Sequence, residues 1–493
     1  MIKLGIIGAG PSSFYVASRL LSALPPTKGK PFLNIHIYDR LWAPHGLVRY
    51  GVAPDHPEVK NCTHKFDLAA TDPRLRFFGN VNIGSSSPLP HALSLPLSAL
   101  LPHYTHLLFA TGCTVPILHP ALPPSQYCVP ALSLVHWYTQ HPSRPSPPPL
   151  EQISHVALIG QGNVSLDVAR MLLTPPAELR KYDVPQSVLS VLERSAVQHV
   201  SIVGRRGPLQ AAFTTKELRE MMNLPDASMA PLDPSVLKIP EGEELTRQQS
   251  RTLQLLQKGS KNKPGSTRKT WSLDFFRSPT GLVASSTPPS PLHREDAELT
   301  LAHTMLDPSV RAVPTGETST LSTSLVVTSL GHRSEPDAAW YDPALGHLRA
   351  VGGRVVGDDG RTVRRVYASG WAATGAHGVL AGTMMDAYSV AQTILVDSLS
   401  KRDLPIGNVG AGAATLDADP GEGQPVTEVL PETVASDGPP PEVEAAQRTG
   451  VVTGYEDWLA VSKEEVRRGE TSGKERERMS WEEAHEFLSG RPA

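Results

Sequence analysis

Two stretches of the chain repeat the same rhythm of apolar runs and amphipathic segments. Ile2 to Ile7 is a short apolar run, followed by Gly8-Ala9-Gly10-Pro11-Ser12-Ser13 and then by FYVASRLLSAL, whose apolar residues recur at helical spacing. Leu33 to Tyr38 is the next apolar run and ends in Asp39. The rhythm returns in Val156 to Arg170, VALIGQGNVSLDVAR, where Gly160-x-Gly162-x-x-Ser165 separates strand from helix and His199 to Val203 supplies the second strand. Phe77 to Ile83, Thr105 to Thr111, Leu325 to Leu330 and Val366 to Trp371 predict further strands, the last feeding a glycine-rich turn and a helix. Elsewhere the pattern breaks. Ser143 to Pro149 is proline-rich and predicts a crossing between domains, while Pro225 to Pro291 is polar and reads as an irregular insertion. Gly407 to Gly450, rich in Ala, Gly, Pro, Asp and Glu, reads as a disordered acidic loop, and Tyr455 to Arg468 as a helix that docks back on the body.

A strand, a glycine turn and a helix start form the geometry in which backbone N–H groups and the helix dipole hold a pyrophosphate. An acid at the end of the second strand accepts bonds from ribose hydroxyls, so Asp39 suits FAD or NAD in the first unit. The second unit has Gly204-Arg205-Arg206-Gly207 there, and two guanidinium groups favour a 2′-phosphate, hence NADP(H). A solvated turn is the alternative for Arg205 and Arg206. One acidic and one basic ribose site in the same chain suggest a flavin followed by NADPH. The expected fold is α/β, with two Rossmann-like dinucleotide-binding domains.

Composition sharpens this picture. A length of 493 residues implies more than one domain, and a net charge of −3 argues against a general nucleic-acid binder. The three cysteines, Cys62, Cys113 and Cys128, show no metal-ligand spacing, so no metal site is expected. No apolar run approaches a membrane span, and strand residues starting beside Met1 leave no room for a presequence. Within the Gly/Pro-rich loop Pro44 to Lys60, His56 is a candidate proton carrier, or a histidine bonding its own turn. Trp371 is a cofactor contact or a core aromatic.

The runs GLVRYGVAPDHPEVKN, GQGNVSLDVARMLLTPPAEL, VGRRGPLQAAFTTKELREM and LDFFRSP resemble the adrenodoxin reductase family, NADPH-to-ferredoxin reductases that use a flavin. The likeness runs from Met1 to about Asp397 and resumes in GYEDWLAVSKEEVRRGETSGKERERM. It implies an NADPH domain (115–330) inserted into a split FAD domain (1–114 and 331–406), with the 407–450 loop and a C-terminal helical segment (451–493) docking on the FAD domain. Carried over residue by residue, FAD would meet Ser12, Asp39, Leu47, Ile83, Trp371, Gly378, Val379 and Leu380. NADPH would meet Gly160, Gln161, Gly162, Asn163, Val164, Arg205, Arg206 and Glu217. His56 and Asp167 match the family's proton-handling pair, although an acid early in a helix is stabilised by the dipole without any chemistry. Arg247 and Arg251, in a basic stretch of the insertion, are candidates for receiving an acidic two-iron two-sulfur ferredoxin, or else ordinary solvated cations. Asp39 stands where many relatives have Glu, and His45 where an aromatic residue commonly precedes Gly-Leu-Val-Arg. The family further implies a mitochondrial matrix setting, with peripheral attachment to the inner membrane left open. An NADPH-responsive flavin-binding sensor or scaffold is the alternative. A disulfide reductase or a glutamate-synthase-like subunit would need cysteine pairs or clusters that this sequence lacks.

Overall fold

The computed structural model describes residues 1–26, 32–84, 89–239, 242, 244–285, 297–399 and 426–491. The first apolar run becomes an inner strand of a seven-stranded sheet. In spatial order its strands are Ala350–Val351, Arg354–Val356, Thr362–Ala368, His106–Phe109, Ile2–Ile7, Leu33–Tyr38 and Leu75–Phe78, the last five running parallel. A parallel sheet needs cover on both faces, and the side chains divide accordingly. Leu4 and Ile6 pack with Phe14, Leu20, Ala391 and Ile394 of the helices Pro11–Ala23 and Leu380–Ser398. Ile7 joins Tyr38, Tyr104, Leu107 and Val366 on the opposite face. Gly5 gives the Tyr104 ring its room there, since a Cβ would stand 3.0 Å from it.

The chain leaves this sheet at Val115–Pro116 and returns at His332–Arg333, and these two short strands pair with each other. Between them lies a six-stranded, all-parallel sheet, ordered Ala227–Met229, Lys269–Asp274, His199–Val203, His155–Ile159, Leu325–Thr328 and Cys128–Pro130. The crossing is therefore at Val115, and the proline-rich 143–149 run lies inside the second unit, after helix Ala131–Tyr138. Proline bars regular structure without marking a boundary.

The insertion expected to be irregular is largely ordered. It holds the helix Arg247–Lys258, started by a Thr246/Gln249 capping box, the strand Lys269–Asp274 deep in the sheet, and Arg277–Ala284. The last opens a three-stranded antiparallel sheet with Ala297–Leu306 and Ala312–Thr323. Polar composition hides these elements because each is apolar on one side only. The helix buries Thr252, Leu253 and Leu256, and the inner strand buries Trp271 and Leu273. Positions 240, 241, 243 and 286–291 of this stretch lie outside the described residues.

Of the loop expected to be disordered, 407–425 lies outside the described residues. The part from 426 to 450 is packed, which corrects the expectation. Thr427 bridges Val363, helix Pro441–Arg448 buries Val443, and the fully buried Lys3 donates through Nζ to the carbonyls of Ser436 (2.7 Å) and Gly438 (2.5 Å). A buried ammonium demands such acceptors, and it holds the segment in place.

Helices Tyr455–Thr471 and Trp481–Ser489 cover the helical face of the first unit, with Trp458 and Trp481 each 6.1 Å from the Trp42 ring. The segment also reaches the second unit. Glu465, fully buried, accepts from Arg49 Nη2 (2.7 Å) and Nη1 (3.1 Å), Arg476 Nη1 (2.9 Å) and the Met479 N–H (2.9 Å). Arg478 donates to Asp183 (2.6 Å) and to the carbonyls of Arg49 (2.6 Å) and Thr139 (2.8 Å). Besides packing on the first unit, 451–493 thus reaches the second through one guanidinium that joins both.

Candidate active site

Residues that end the strands of both sheets face a single cavity of about 1410 Å³. Among the helices that start at its wall with no side-chain cap are the three long ones Pro11–Ala23, Asn163–Leu173 and Leu380–Ser398. Their first N–H groups are left for a ligand, and their dipoles favour an anion.

At the first fingerprint Gly8 has φ +102°, and a Cβ there would overlap the Ala110 carbonyl, so the strand end and the neighbouring strand touch through backbone. Gly10 faces open space, with nothing within 4 Å of its Cβ position. The Asp39 carboxylate accepts the N–H groups of Ala9 (2.6 Å) and Leu41 (2.8 Å) and still borders the cavity. Burial raises its pKa against those bonds. Ser12 Oγ donates to Ser369 Oγ (2.6 Å), and Asp386 accepts from Ser369 Oγ (2.9 Å) and the Gly370 N–H (2.6 Å). Asp386, which sequence reasoning misses, so ties the C-terminal strand end to the first helix.

Leu47, Trp371, Gly378, Val379 and Leu380 line the same lobe. Leu47 and Val379 remain 41% and 58% exposed, an apolar surface suited to a planar ligand. Trp371 is half-buried at the cavity, and its Nε1 donates to the His377 carbonyl (2.9 Å). Cavity wall, not core, is its place.

In the second lobe Gly160 has φ +127°, and a Cβ would overlap the Ser329 carbonyl oxygen. The Gln161 carbonyl accepts from Ala212 (2.9 Å) and Phe213 (3.0 Å), and Asn163 Oδ1 from the Thr214 N–H (2.8 Å), which shapes the loop from Gly160 to Val164. Arg205 and Arg206 are exposed and line this lobe; among the described residues neither guanidinium pairs with a carboxylate. Gly160→Ala combines the backbone clash with a conformation that disfavours a side chain. We expect it to abolish pyridine-nucleotide binding and to lower stability by about 2 kcal/mol or more, read by ligand titration and thermal melting.

Between the lobes lies a dense polar network. Arg170 donates to Asp167 (2.6 Å), Glu217 (3.0 Å) and Asp55 (3.2 Å), and His56 Nε2 bonds Glu220 (2.6 Å) with Glu217 3.9 Å away. His56 and Asp167 meet in this network without touching directly; Glu217 is drawn into it by Arg170. Sequence reasoning misses Arg170, Glu220 and Asp55. Arg170 follows Asp167, and Glu220 follows Glu217, by three residues on one helix face, which is a readable signal. His56, Glu217 and Glu220 bring ligand atoms within 4.8 Å of one another, but Arg170 stands 3.0 Å from Glu217 and 3.4 Å from Glu220 and already supplies the positive charge a cation would bring.

Burial opposes charge on His56, yet the Glu220 bond and the nearby Asp55 and Glu217 carboxylates outweigh it and raise the pKa. Burial and the Asp167 charge push Glu217 up to about 7. A carboxyl that holds its proton more tightly when folded loses stability as pH rises from its ordinary value towards that raised one. The wild-type melting temperature should therefore carry a component that falls between about pH 4.5 and 7, and Glu217→Gln should remove it. Melting curves of both proteins across that window, showing parallel slopes, would refute this.

Ile83 does not border the cavity. The strand Val81–Ile83 pairs with Leu93–Leu95, and Ile83 packs partly buried against the core beside Val81 and Leu95. Arg247 and Arg251 are exposed on the helix Arg247–Lys258, outside the cavity. His45 lies under the first lobe, 5.5 Å from Phe14 and bonded to Tyr455 Oη (2.9 Å); burial lowers its pKa to about 3.

Two dinucleotide-type lobes opening on one cavity, the second with an unpaired arginine turn, define a pyridine-nucleotide-linked flavoprotein oxidoreductase. The chain is 36% identical over 493 residues to human mitochondrial NADPH:adrenodoxin oxidoreductase, covering 96% of this chain and 89% of that protein. It is 34% identical over 404 residues to NADPH-ferredoxin reductase FprA of Mycobacterium tuberculosis, covering 80% and 83% respectively. The solved structure of that FprA in complex with NADPH superposes with a TM-score of 0.78 at 29% identity, covering 99% of this chain and all of that one. No protein-family model matches the chain. The chain belongs to the adrenodoxin reductase family, which groups these mitochondrial and bacterial oxidoreductases.

Proposed function

We propose that this chain takes a hydride from NADPH bound in the second lobe and delivers single electrons to a two-iron two-sulfur ferredoxin by way of FAD bound in the first. The observation that carries the reading is the pair of unlike lobes on one cavity, with Asp39 ending the second strand of one and Arg205-Arg206 that of the other. The first lobe fits FAD: the open backbone at Gly10, the uncapped helix behind it, and the apolar wall of Leu47, Trp371 and Val379 match a pyrophosphate followed by a planar ring. FAD, when bound, supplies the conversion of a hydride pair into two single-electron transfers.

The chain's own residues do the rest. Ser12 and Asp39 position the first dinucleotide, and Gly378, Val379 and Leu380 close over it from the C-terminal side. Gly160 to Val164 hold the pyrophosphate of NADPH, and Arg205 with Arg206 recognises its 2′-phosphate. His56 keeps a proton at Nε2 against Glu220 beside the meeting point of the lobes, and Asp167 with Glu217 fixes Arg170 there. Arg247 and Arg251 offer a basic face to an acidic ferredoxin. Among the described residues no helix is long and apolar enough to cross a membrane. A mitochondrial setting, like that named for the animal relatives, belongs to the same proposal.

Anaerobic addition of NADPH should bleach the visible absorption of the FAD-loaded protein far faster than NADH does. Absence of bound flavin, or equal rates, would count against the reading. Arg247→Glu with Arg251→Glu should leave that bleaching unchanged while raising the Michaelis constant for ferredoxin about tenfold at low salt, the gap closing as salt rises.

A further inference from the structure

The geometry points to Arg277 as a third cation that reads the 2′-phosphate of NADPH beside Arg205 and Arg206, an assignment that rests on the NADPH reading above. Arg277 opens the strand Arg277–Ala284, where the chain leaves the parallel sheet for the antiparallel one. Its backbone is fastened to the arginine turn. The Arg277 N–H donates to the Gly204 carbonyl (2.9 Å), the Phe276 N–H to the Arg206 carbonyl (3.3 Å), and Thr304 Oγ1 to the Arg205 carbonyl (2.8 Å).

Phe276 turns the chain into this position with φ +54°, an unfavourable conformation for an aromatic residue. Its ring fits only because position 207 is glycine, where a Cβ would stand 2.5 Å from Phe276 Cζ. Strain kept at such a point is a sign that the placement of the next residue matters. That next residue is Arg277, which borders the same cavity as Arg205 and Arg206.

The guanidinium is oriented and, among the described residues, forms no salt bridge. Nη1 donates to the Phe276 carbonyl (2.9 Å), which fixes one edge and leaves the remaining N–H groups for a ligand. The Asp274 carboxylate lies near enough to feel this charge, but its bond is with Ser272 Oγ (2.9 Å) and not with the guanidinium. The uncapped start of the helix Asn163–Leu173 would serve the pyrophosphate of any dinucleotide, so three arginines without a salt bridge at the adjacent strand ends answer to an additional dianion.

The test is titration of the FAD-loaded protein with NADP+, NAD+, adenosine 2′,5′-bisphosphate and 5′-AMP, for wild type, Arg277→Ala, Arg277→Lys and the Arg205→Ala/Arg206→Ala pair. Arg277→Ala should weaken the two 2′-phosphorylated ligands about tenfold or more and the other two less than about twofold, with Arg277→Lys in between. Equal losses for all four ligands would set Arg277 against the adenine or the 5′-phosphate that all four share and overturn the assignment. If the arginine pair abolishes discrimination while Arg277→Ala retains it, Arg277 has no part in it and the NADPH reading stands. If neither variant changes discrimination, both fall.

Discussion

Replacing Arg205 and Arg206 together by alanine is expected to raise the Michaelis constant for NADPH by about two to three orders of magnitude, and that for NADH by no more than about twofold. Both guanidinium groups are exposed to the cavity and have no carboxylate partner among the described residues, so their removal leaves no buried acid stranded. A charge-assisted bond contributes about 1.5–3 kcal/mol, and two of them set the scale of the loss. The turn itself should survive, because its carbonyls are held by Arg277, Phe276 and Thr304 through atoms that the substitutions leave in place. Steady-state kinetics with both nucleotides decide the matter; parallel increases would mean that the arginines serve the fold or the pyrophosphate, not the 2′-phosphate.

The second large effect concerns stability and lies far from the nucleotide. Glu465→Gln should destabilise the protein by about 3–5 kcal/mol at neutral pH, because Arg49 and Arg476 lose the one carboxylate that both contact and Arg49 stays buried. Despite its burial, Glu465 is held below the usual carboxylate range by Arg49, with Arg476 and the Met479 N–H helping. A carboxyl of lowered pKa contributes stability above its unfolded value and loses it as pH falls. The deficit of the variant should therefore shrink towards acid pH. Denaturant midpoints of both proteins measured at neutral and at acid pH would show it, and an unchanged midpoint at neutral pH would contradict the buried network described here.

Much of this site is legible in the amino-acid sequence. The two fingerprints declare themselves through glycines that chemistry cannot replace: Gly8 and Gly160 each press backbone against a neighbouring carbonyl. Their second strands end in Asp39 and in Arg205-Arg206, as the apolar runs indicate. What stays hidden depends on contacts across hundreds of residues. Nothing local in LPETVASDGPPPEV says that Ser436 and Gly438 receive a buried lysine from the first strand. Composition misleads at KTWSLD, because an inner strand at the side of a sheet needs only Trp271 and Leu273 facing inward. Ile83 reads as a cofactor contact by resemblance alone, and it packs partly buried beside Val81 and Leu95. The polar network is half visible: His56, Asp167 and Glu217 stand out, while Arg170 and Glu220, one turn further along the same helices, read as ordinary surface charges.

The most direct test of the central claim is NADPH-driven cytochrome c reduction by the FAD-loaded protein, with and without a mitochondrial-type two-iron two-sulfur ferredoxin, over a range of salt. A large increase on adding ferredoxin, falling as salt rises, is the expected result. Rapid flavin bleaching by NADPH with no increase from ferredoxin at any salt would contradict it, leaving two nucleotide sites without the proposed electron acceptor.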